Sequence, residues 1–227
     1  MNQTIADRYR VIRERIADAC ERAGRDSAEV TLVAVSKTVG LEEVASAIEA
    51  GIHDFGENRA APFKEKRDAF PNERWHFIGR IQTNKVRDMV GRAALIHSVA
   101  SERALVAIAK RAQSLDTVQA LLLEVNVSGE QSKDGVEPHE LPRLLECAAG
   151  LAHIRVEGLM TIAPQGDERS IRAAFCGLRE LRERHAASCG MTKSIQLREL
   201  SMGMSEDYPL AVAEGATIVR IGRSIWA

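Results

Sequence analysis

The sequence predicts an α/β protein, a single-domain (β/α)8 TIM barrel over residues 1–227 with an extra helix at its N-terminus. Three observations carry this expectation. Short runs rich in Val, Ile and Leu alternate with amphipathic stretches, the alternation recurs eight times, and no Pro- or Gly-rich linker interrupts it. Parallel neighbours are joined only by crossovers, so regular β-α alternation argues for a parallel sheet with helices packed outside it. Eight repeats allow closure into a barrel, whereas an open doubly wound sheet more often stops at about five or six strands.

The elements follow in order. Residues 4 to 23 carry apolar positions at Ile5, Tyr9, Ile12, Ile16, Ala19 and Ala23, a helical period, and Gly24 stands where a C-cap would sit. The apolar runs after it are Val30–Ser36, Ile52–Phe55, Trp75–Ile78, Ala94–Val99, Val118–Val127, Ile154–Met160, Gln196–Ser201 and Thr217–Ile221. Helical patterns lie between them, over 41–50, 57–69, 82–91, 101–114, 137–149, 167–187 and 205–214. Ser128 to Gly135 reads as a flexible loop after the fifth strand. The chain closes soon after the last run and leaves no eighth helix, a gap in the outer ring that the opening helix is expected to cover. With the first ~24 residues set aside, roughly 25 remain for each repeat, and no second domain is expected.

Composition bounds the function. Lys and Arg number 31 against 32 Asp and Glu, a formal charge of −1, so no net basic field attracts nucleic acid or anionic lipid. Aromatic residues make up 4%, which leaves few platforms for stacking bases. The polar, mixed-charge N-terminus does not read as a secretory signal, and no stretch approaches the roughly 20 apolar residues of a membrane span. Cys20, Cys147, Cys176 and Cys189 are widely spaced, with no C-x-x-C, and read as reduced structural thiols of a cytoplasmic protein. The six His are scattered singly, so no metal site is expected, and no G-x-S-x-G supports a nucleophilic triad.

Active sites of such barrels lie at the C-terminal ends of the strands. Lys37 ends the first run on the face of Val33 and Val35, which puts its amine at the mouth of the barrel interior; a neutral lysine there makes Schiff bases, while a solvent-reaching one is merely a strand end. Ser201-Met-Gly-Met-Ser205 and Gly222-Arg-Ser224 follow the last two strands, in the corner where barrels commonly hold phosphate on backbone N–H groups, hydroxyls and Arg. Ser205 reads equally well as the N-cap of the next helix, since Glu206 and Asp207 follow it. Arg220 is a charge in an apolar strand, for which a buried ion pair with Glu124 or Glu199 is the commoner explanation. Asn58 could orient a ligand or cap a helix, and His76 could be an acid or base or a hydrogen-bonded core histidine.

Lys37, Arg220 and the two loops together describe a pyridoxal 5′-phosphate site: an amine, a partner for the pyridine nitrogen and a phosphate cradle. The chain resembles the pyridoxal phosphate homeostasis proteins, relatives of the barrel domain of alanine racemase, in motifs that run in order over nearly its whole length. These are Leu32-Val-Ala-Val-Ser-Lys37, Asp54-Phe-Gly-Glu-Asn58, Trp75-His-Phe-Ile-Gly-Arg-Ile-Gln-Thr-Asn-Lys85, Ile96-His-Ser-Val99, Val156-Glu-Gly-Leu-Met160, Leu200-Ser-Met-Gly-Met-Ser205 and Val219-Arg-Ile-Gly-Arg223. The resemblance implies that Lys37 forms the internal aldimine and that Ser201, with the backbone around Gly222 and Arg223, holds the phosphate. It further implies that Arg220 faces the pyridine nitrogen and that Asn58, His76 and Met160 line the ring pocket. Two departures, Ala60-Ala61-Pro62 after Asn58 and the closing Ile225-Trp226-Ala227 in place of the usual Phe-Gly, touch the rim.

The function implied is a non-enzymatic protein, with no catalytic residue assigned, that buffers pyridoxal phosphate and delivers it, with apo-enzymes that use the cofactor as partners and the monomer as the working state. The alternative is an amino-acid racemase or related pyridoxal enzyme, which needs a second acid/base for which Tyr9 and Tyr208 are the only tyrosines. A sugar-phosphate isomerase or aldolase would use Lys37 and the phosphate corner but leaves Arg220 without a role.

Overall fold

The computed structural model describes residues 3–130, 133–189 and 193–227. Its parallel strands are β1 (Thr31–Val35), β2 (Asp54–Glu57), β3 (Arg74–Phe77), β4 (Leu95–Val99), β5 (Gln119–Glu124), β6 (Ile154–Met160), β7 (Ile195–Ser201) and β8 (Ile218–Ile221). They form a closed barrel in chain order. Closure comes from β1 against β8, with Thr31 to Ala34 paired to Ile218 to Ile221, whereas β7 meets β8 through the single pair Ser201–Ile218.

The helices are α1 (Ile5–Arg22), α2 (Leu41–Glu49), α3 (Ala60–Ala69), α4 (Val86–Met89), α5 (Glu102–Ser114), α6 (Leu141–Ala149), α7 (Glu168–Cys189), α8 (Tyr208–Ala213) and α9 (Arg223–Trp226). Thr4 starts α1 with a capping box to Asp7, and Gly24, at φ +66°, ends the chain's helical path just past Ala23. Buried Ile12, Ile16, Ala19 and Cys20 mark its inner stripe. α1 packs against α8, α9 and α2, so it does cover the gap in the outer ring. The expectation of no helix after the last strand is corrected: Arg223–Trp226 turns once, and Arg8 Nε donates to the Ile225 carbonyl at 2.7 Å to bind that turn to α1.

Other boundaries move for local reasons. β2 starts at Asp54, two residues later than its apolar run, because Ile52 donates its N–H to Ala47 and closes the end of α2 after Gly51 at φ +87°. The strand then runs on into Glu57, a polar residue that hydropathy does not count. The pattern over 82–91 resolves into a 3₁₀ turn, Thr83–Lys85, and the short α4. Prolines at the first turn delay α6 to Leu141 and α8 to Tyr208. Of the expected loop after β5, Gln131 and Ser132 lie outside the described residues, as does the side chain of Cys189. Cys20, Cys147 and Cys176 are free thiols, and no described helix is long and apolar enough to cross a membrane.

Alternation separates two cores. Outward residues pack under the helices in the larger one, which includes the stacked Phe55–Trp75 pair and the edge-on Phe63–Phe77 pair behind β2 and β3. Inward Val33, Leu95, Leu122, Met160 and Ile218 form the smaller one inside the barrel. Above it the inward positions turn polar, with His76, His97, Glu124, Ser201 and Arg220 all buried.

Gly79 sets the spacing of the β2 and β3 ends, since a Cβ there would fall 1.9 Å from the Asn58 carbonyl oxygen. Gly79→Ala must therefore push backbone rather than a side chain, and should destabilise the fold by roughly 3 kcal/mol in urea unfolding.

Candidate functional site

A cavity of about 390 Å³ opens at the C-terminal ends of the strands, a volume typical of small-molecule sites. Six residues expected there line it: Lys37, Asn58, Met160, Arg220, Gly222 and Arg223. Lys37 follows the end of β1 and is exposed on the wall rather than buried in the barrel, because β1 stops at Val35 and the chain turns at Lys37 and Thr38, where the Val39 N–H donates to the Ser36 carbonyl at 3.1 Å. Its ammonium makes no hydrogen bond or ion pair with any described residue. Met160, fully buried at the end of β6, joins Val35 and Ile78 as apolar wall.

Arg220 is 4% exposed, and its anticipated ion pair is not formed: no carboxylate of the described residues lies within 4.0 Å. The guanidinium instead donates to the Ser201 hydroxyl at 2.6 Å and to the Thr161 carbonyl at 2.9 Å. Burial lowers its pKa to about 10, only partly opposed by Glu124 and Asp207. Glu199, the other expected partner, accepts a hydrogen bond from Thr217 Oγ1 instead.

Two expected residues stand off the cavity wall. Ser201 is fully buried beneath it, and its hydroxyl is taken by Arg220 and by His97 Nδ1 at 2.9 Å, so it is not presented to a phosphate. His76 is a core histidine, bonded to His97 and Asp54. The hydroxyl on the wall is that of Ser205, which accepts from the backbone N–H groups of Gly222 at 3.3 Å and Ser224 at 3.4 Å. Ser205 is not the N-cap of α8, a place held by Asp207, because Pro209 sets the start of that helix. Arg223 lies on the exposed rim, paired with Glu206 at 2.7 Å.

Behind the wall is a buried cluster absent from the sequence reading. Lys66 of α3, patterned like a surface lysine, donates to Glu57 Oε1 at 2.5 Å and to the Ser36 carbonyl at 2.6 Å. Glu57 Oε2 accepts from the Asn58 N–H at 3.1 Å. One ion pair thus ties the residue before Lys37 to the backbone of Asn58. The two departures in sequence also find places: Ala60 and Ala61 line a neighbouring cavity, and Trp226 donates to the Val35 carbonyl at 2.7 Å.

This geometry can be set beside known proteins. Residues 8–227 match the family model of the alanine racemase N-terminal domain. The chain is 43% identical to the pyridoxal phosphate homeostasis protein of Aquifex aeolicus over 95% of its own length and 94% of the relative's. To that of Pseudomonas aeruginosa it is 40% identical, over 98% and 95%. The chain belongs to the pyridoxal phosphate homeostasis protein family. PipY of Synechococcus elongatus, solved with PLP bound, superposes with a TM-score of 0.82 at 34% identity, covering 95% of this chain and all of PipY. Alanine racemase of Streptomyces coelicolor shares the fold, with a TM-score of 0.74 at 20% identity, and this chain spans 57% of its length.

Two stability predictions follow from the buried charges of this homeostasis-family barrel. Lys66→Met leaves Glu57 buried and unpaired and should cost about 3–5 kcal/mol in urea unfolding, most of which Glu57→Met in the same chain restores. Glu124, 5% exposed at the end of β5, has its carboxyl pKa raised from 4.5 to about 7 by burial first and by Asp134 second, with Arg220 opposing. The folded protein holds that proton more tightly than the unfolded chain, so this contribution is complete below about pH 4.5 and is lost as the pH rises to about 7. Its full extent is roughly 3 kcal/mol, and Glu124→Gln should flatten the pH dependence of unfolding by that amount across the interval.

Proposed function

We propose that this protein binds pyridoxal 5′-phosphate reversibly at Lys37 and serves as a store from which the cofactor is delivered. The observation that carries the proposal is the unpaired Lys37 amine on a cavity whose floor is Arg220 and whose rim gathers the Ser205 hydroxyl with the N–H groups of Gly222 and Ser224. The donor set fits the cofactor. When bound, pyridoxal phosphate supplies an aldehyde that condenses with a primary amine and releases water. The Ser205 hydroxyl proton, left free while its oxygen accepts from Gly222 and Ser224, and Arg223 would suit a phosphate dianion, Met160 and Ile78 would suit the faces of an aromatic ring, and Asn58 would suit its edge.

Arg220 supports storage over catalysis. Its guanidinium donates only, so it cannot take a proton from a pyridine nitrogen, and a second positive charge on the ring beside it is disfavoured. The ring is then a weak electron sink, which suits holding the cofactor over labilising a bond at an amino-acid α-carbon. Racemisation also calls for an acid/base opposite the lysine. Neither tyrosine lines the cavity: Tyr9 lies in α1, and buried Tyr208 at the start of α8 faces the charge of Arg15 on α1.

Residues 1–227 are proposed to act as one unit, as a cytoplasmic monomer whose partners are apo-enzymes that use the cofactor. The free thiols suit a reducing compartment. The test is spectroscopic. Purified protein given pyridoxal phosphate should gain the visible absorbance of the lysine-bound cofactor, and borohydride should fix one equivalent on Lys37. Lys37→Ala should lose the band while retaining weak, phosphate-dependent binding. Absence of the band from the unsubstituted protein overturns the proposal, and sustained production of D-amino acids would replace storage by racemisation.

A further inference from the structure

We propose that Asp54, the first residue of β2, is a positioning residue for the cavity: it terminates a hydrogen-bonded chain through His76, His97 and Ser201 that holds Arg220 from across the barrel. The links are Asp54 Oδ1 to His76 Nε2 at 2.9 Å, His76 Nδ1 to His97 Nε2 at 2.9 Å, His97 Nδ1 to Ser201 Oγ at 2.9 Å, and Ser201 Oγ to Arg220 Nη1 at 2.6 Å. Its members sit on β2, β3, β4, β7 and β8, so the step from His97 to Ser201 crosses the lumen. His76, His97, Ser201 and Arg220 are buried, and only Asp54 reaches towards solvent, where Arg74 Nε lies 3.4 Å from the same oxygen.

The ends dictate the direction of every bond. A guanidinium donates only and a carboxylate accepts only. Ser201 accepts from Arg220, so its single hydroxyl proton goes to His97 Nδ1. Burial, reinforced by His76 and Arg220, holds the His97 pKa well below the ordinary value, so the ring is neutral and carries its proton on Nε2. That proton is donated to His76 Nδ1, which leaves the His76 proton on Nε2, donated to Asp54. All donors point from Arg220 to Asp54. In the opposite polarity His97 Nδ1–H would donate to Ser201, whose own proton would lose its acceptor in the chain.

Arg220 has no carboxylate to orient it, so its direction rests on the Ser201 hydroxyl and the Thr161 carbonyl. Ser201 stays an ordered acceptor because His97 takes its proton, and His97 can take it because Asp54 fixes both rings. A carboxylate at the N-terminal end of a strand thereby sets a guanidinium at the cavity floor. The consequence for affinity rests on pyridoxal phosphate occupying that cavity, whereas the direction of the chain does not.

The test uses the full-length protein labelled with ¹⁵N. Without cofactor, long-range ¹H–¹⁵N correlation at pH 7.5 should show His76 and His97 neutral, each with its proton on Nε2. Asp54→Ala should release the His76 tautomer and weaken pyridoxal phosphate binding by about fivefold, the worth of one hydrogen bond. Asp54→Asn, whose amide oxygen still accepts, should keep both tautomers and the affinity. A proton on His97 Nδ1 or a doubly protonated His76 in the unsubstituted protein overturns the proposal, whether or not the alanine variant folds. So does an Asp54→Ala protein with both tautomers and the affinity unchanged. If the unsubstituted protein shows the Nε2 tautomers yet binds no pyridoxal phosphate, the cofactor assignment fails while the chain stands.

Discussion

A guanidinium buried inside the barrel without a carboxylate beside it is the constraint around which the interior is arranged. Burying such a charge in apolar surroundings is prohibitive unless its donors are met. The barrel meets them with a hydroxyl and a main-chain carbonyl, and leaves Glu124 and Asp207 close enough to act on Arg220 through the field. The cost appears in their titration. Arg220 is pulled down to about 10, Glu124 is pushed up to about 7, and burial raises Asp207 as well. An ion pair would have lowered that cost and closed the guanidinium to anything else. A charge held by neutral acceptors keeps its remaining N–H groups for the cavity.

Alternation along the strands makes this arrangement possible. The same period of two that puts Val33, Leu95, Leu122 and Ile218 together in the lower interior brings His76, His97, Ser201 and Arg220 together one layer higher. Below, apolar packing excludes water. Above, hydrogen bonds replace it, and a cavity begins only where the strands end. Outside the barrel the aromatic pairs behind β2 and β3 and the Lys66–Glu57 pair do for the wall what the interior network does for the floor.

Legibility in the sequence followed the physics of each signal. Strand and helix order was readable because burial is periodic; Lys37, Asn58, Gly222 and Arg223 came from looking where strands end, Arg220 from a charge inside an apolar strand, and Met160 from the family resemblance alone. Glu57 hid the true extent of β2, since hydropathy reads a buried acid as exposed until its partner is known. Lys66 left no trace, because a lysine in an amphipathic helix looks solvated and its partner lies nine residues back. His97 was available in principle, two residues beyond Leu95 in a strand whose other members are Leu95, Ile96, Ser98 and Val99. Ser205 rather than Ser201 stands on the wall because period two identifies the inward residue, while only the course of the loop determines which hydroxyl reaches the cavity.

The Lys37 amine is exposed, but the chain beneath it is held on three sides. The Val35 carbonyl accepts from Trp226 at 2.7 Å, the Ser36 carbonyl accepts from Lys66 at 2.6 Å, and the Ser36 N–H donates to Gly56 at 2.9 Å. α9, α3 and β2 thus each grip one of the two residues before the lysine. For the reversible binding proposed at Lys37, a free side chain loses little in either state, and a fixed backbone returns the amine to the same place. Trp226 takes part in this hold. Its indole supplies a donor that a phenyl ring lacks, so the last turn of the chain braces the strand that carries the lysine.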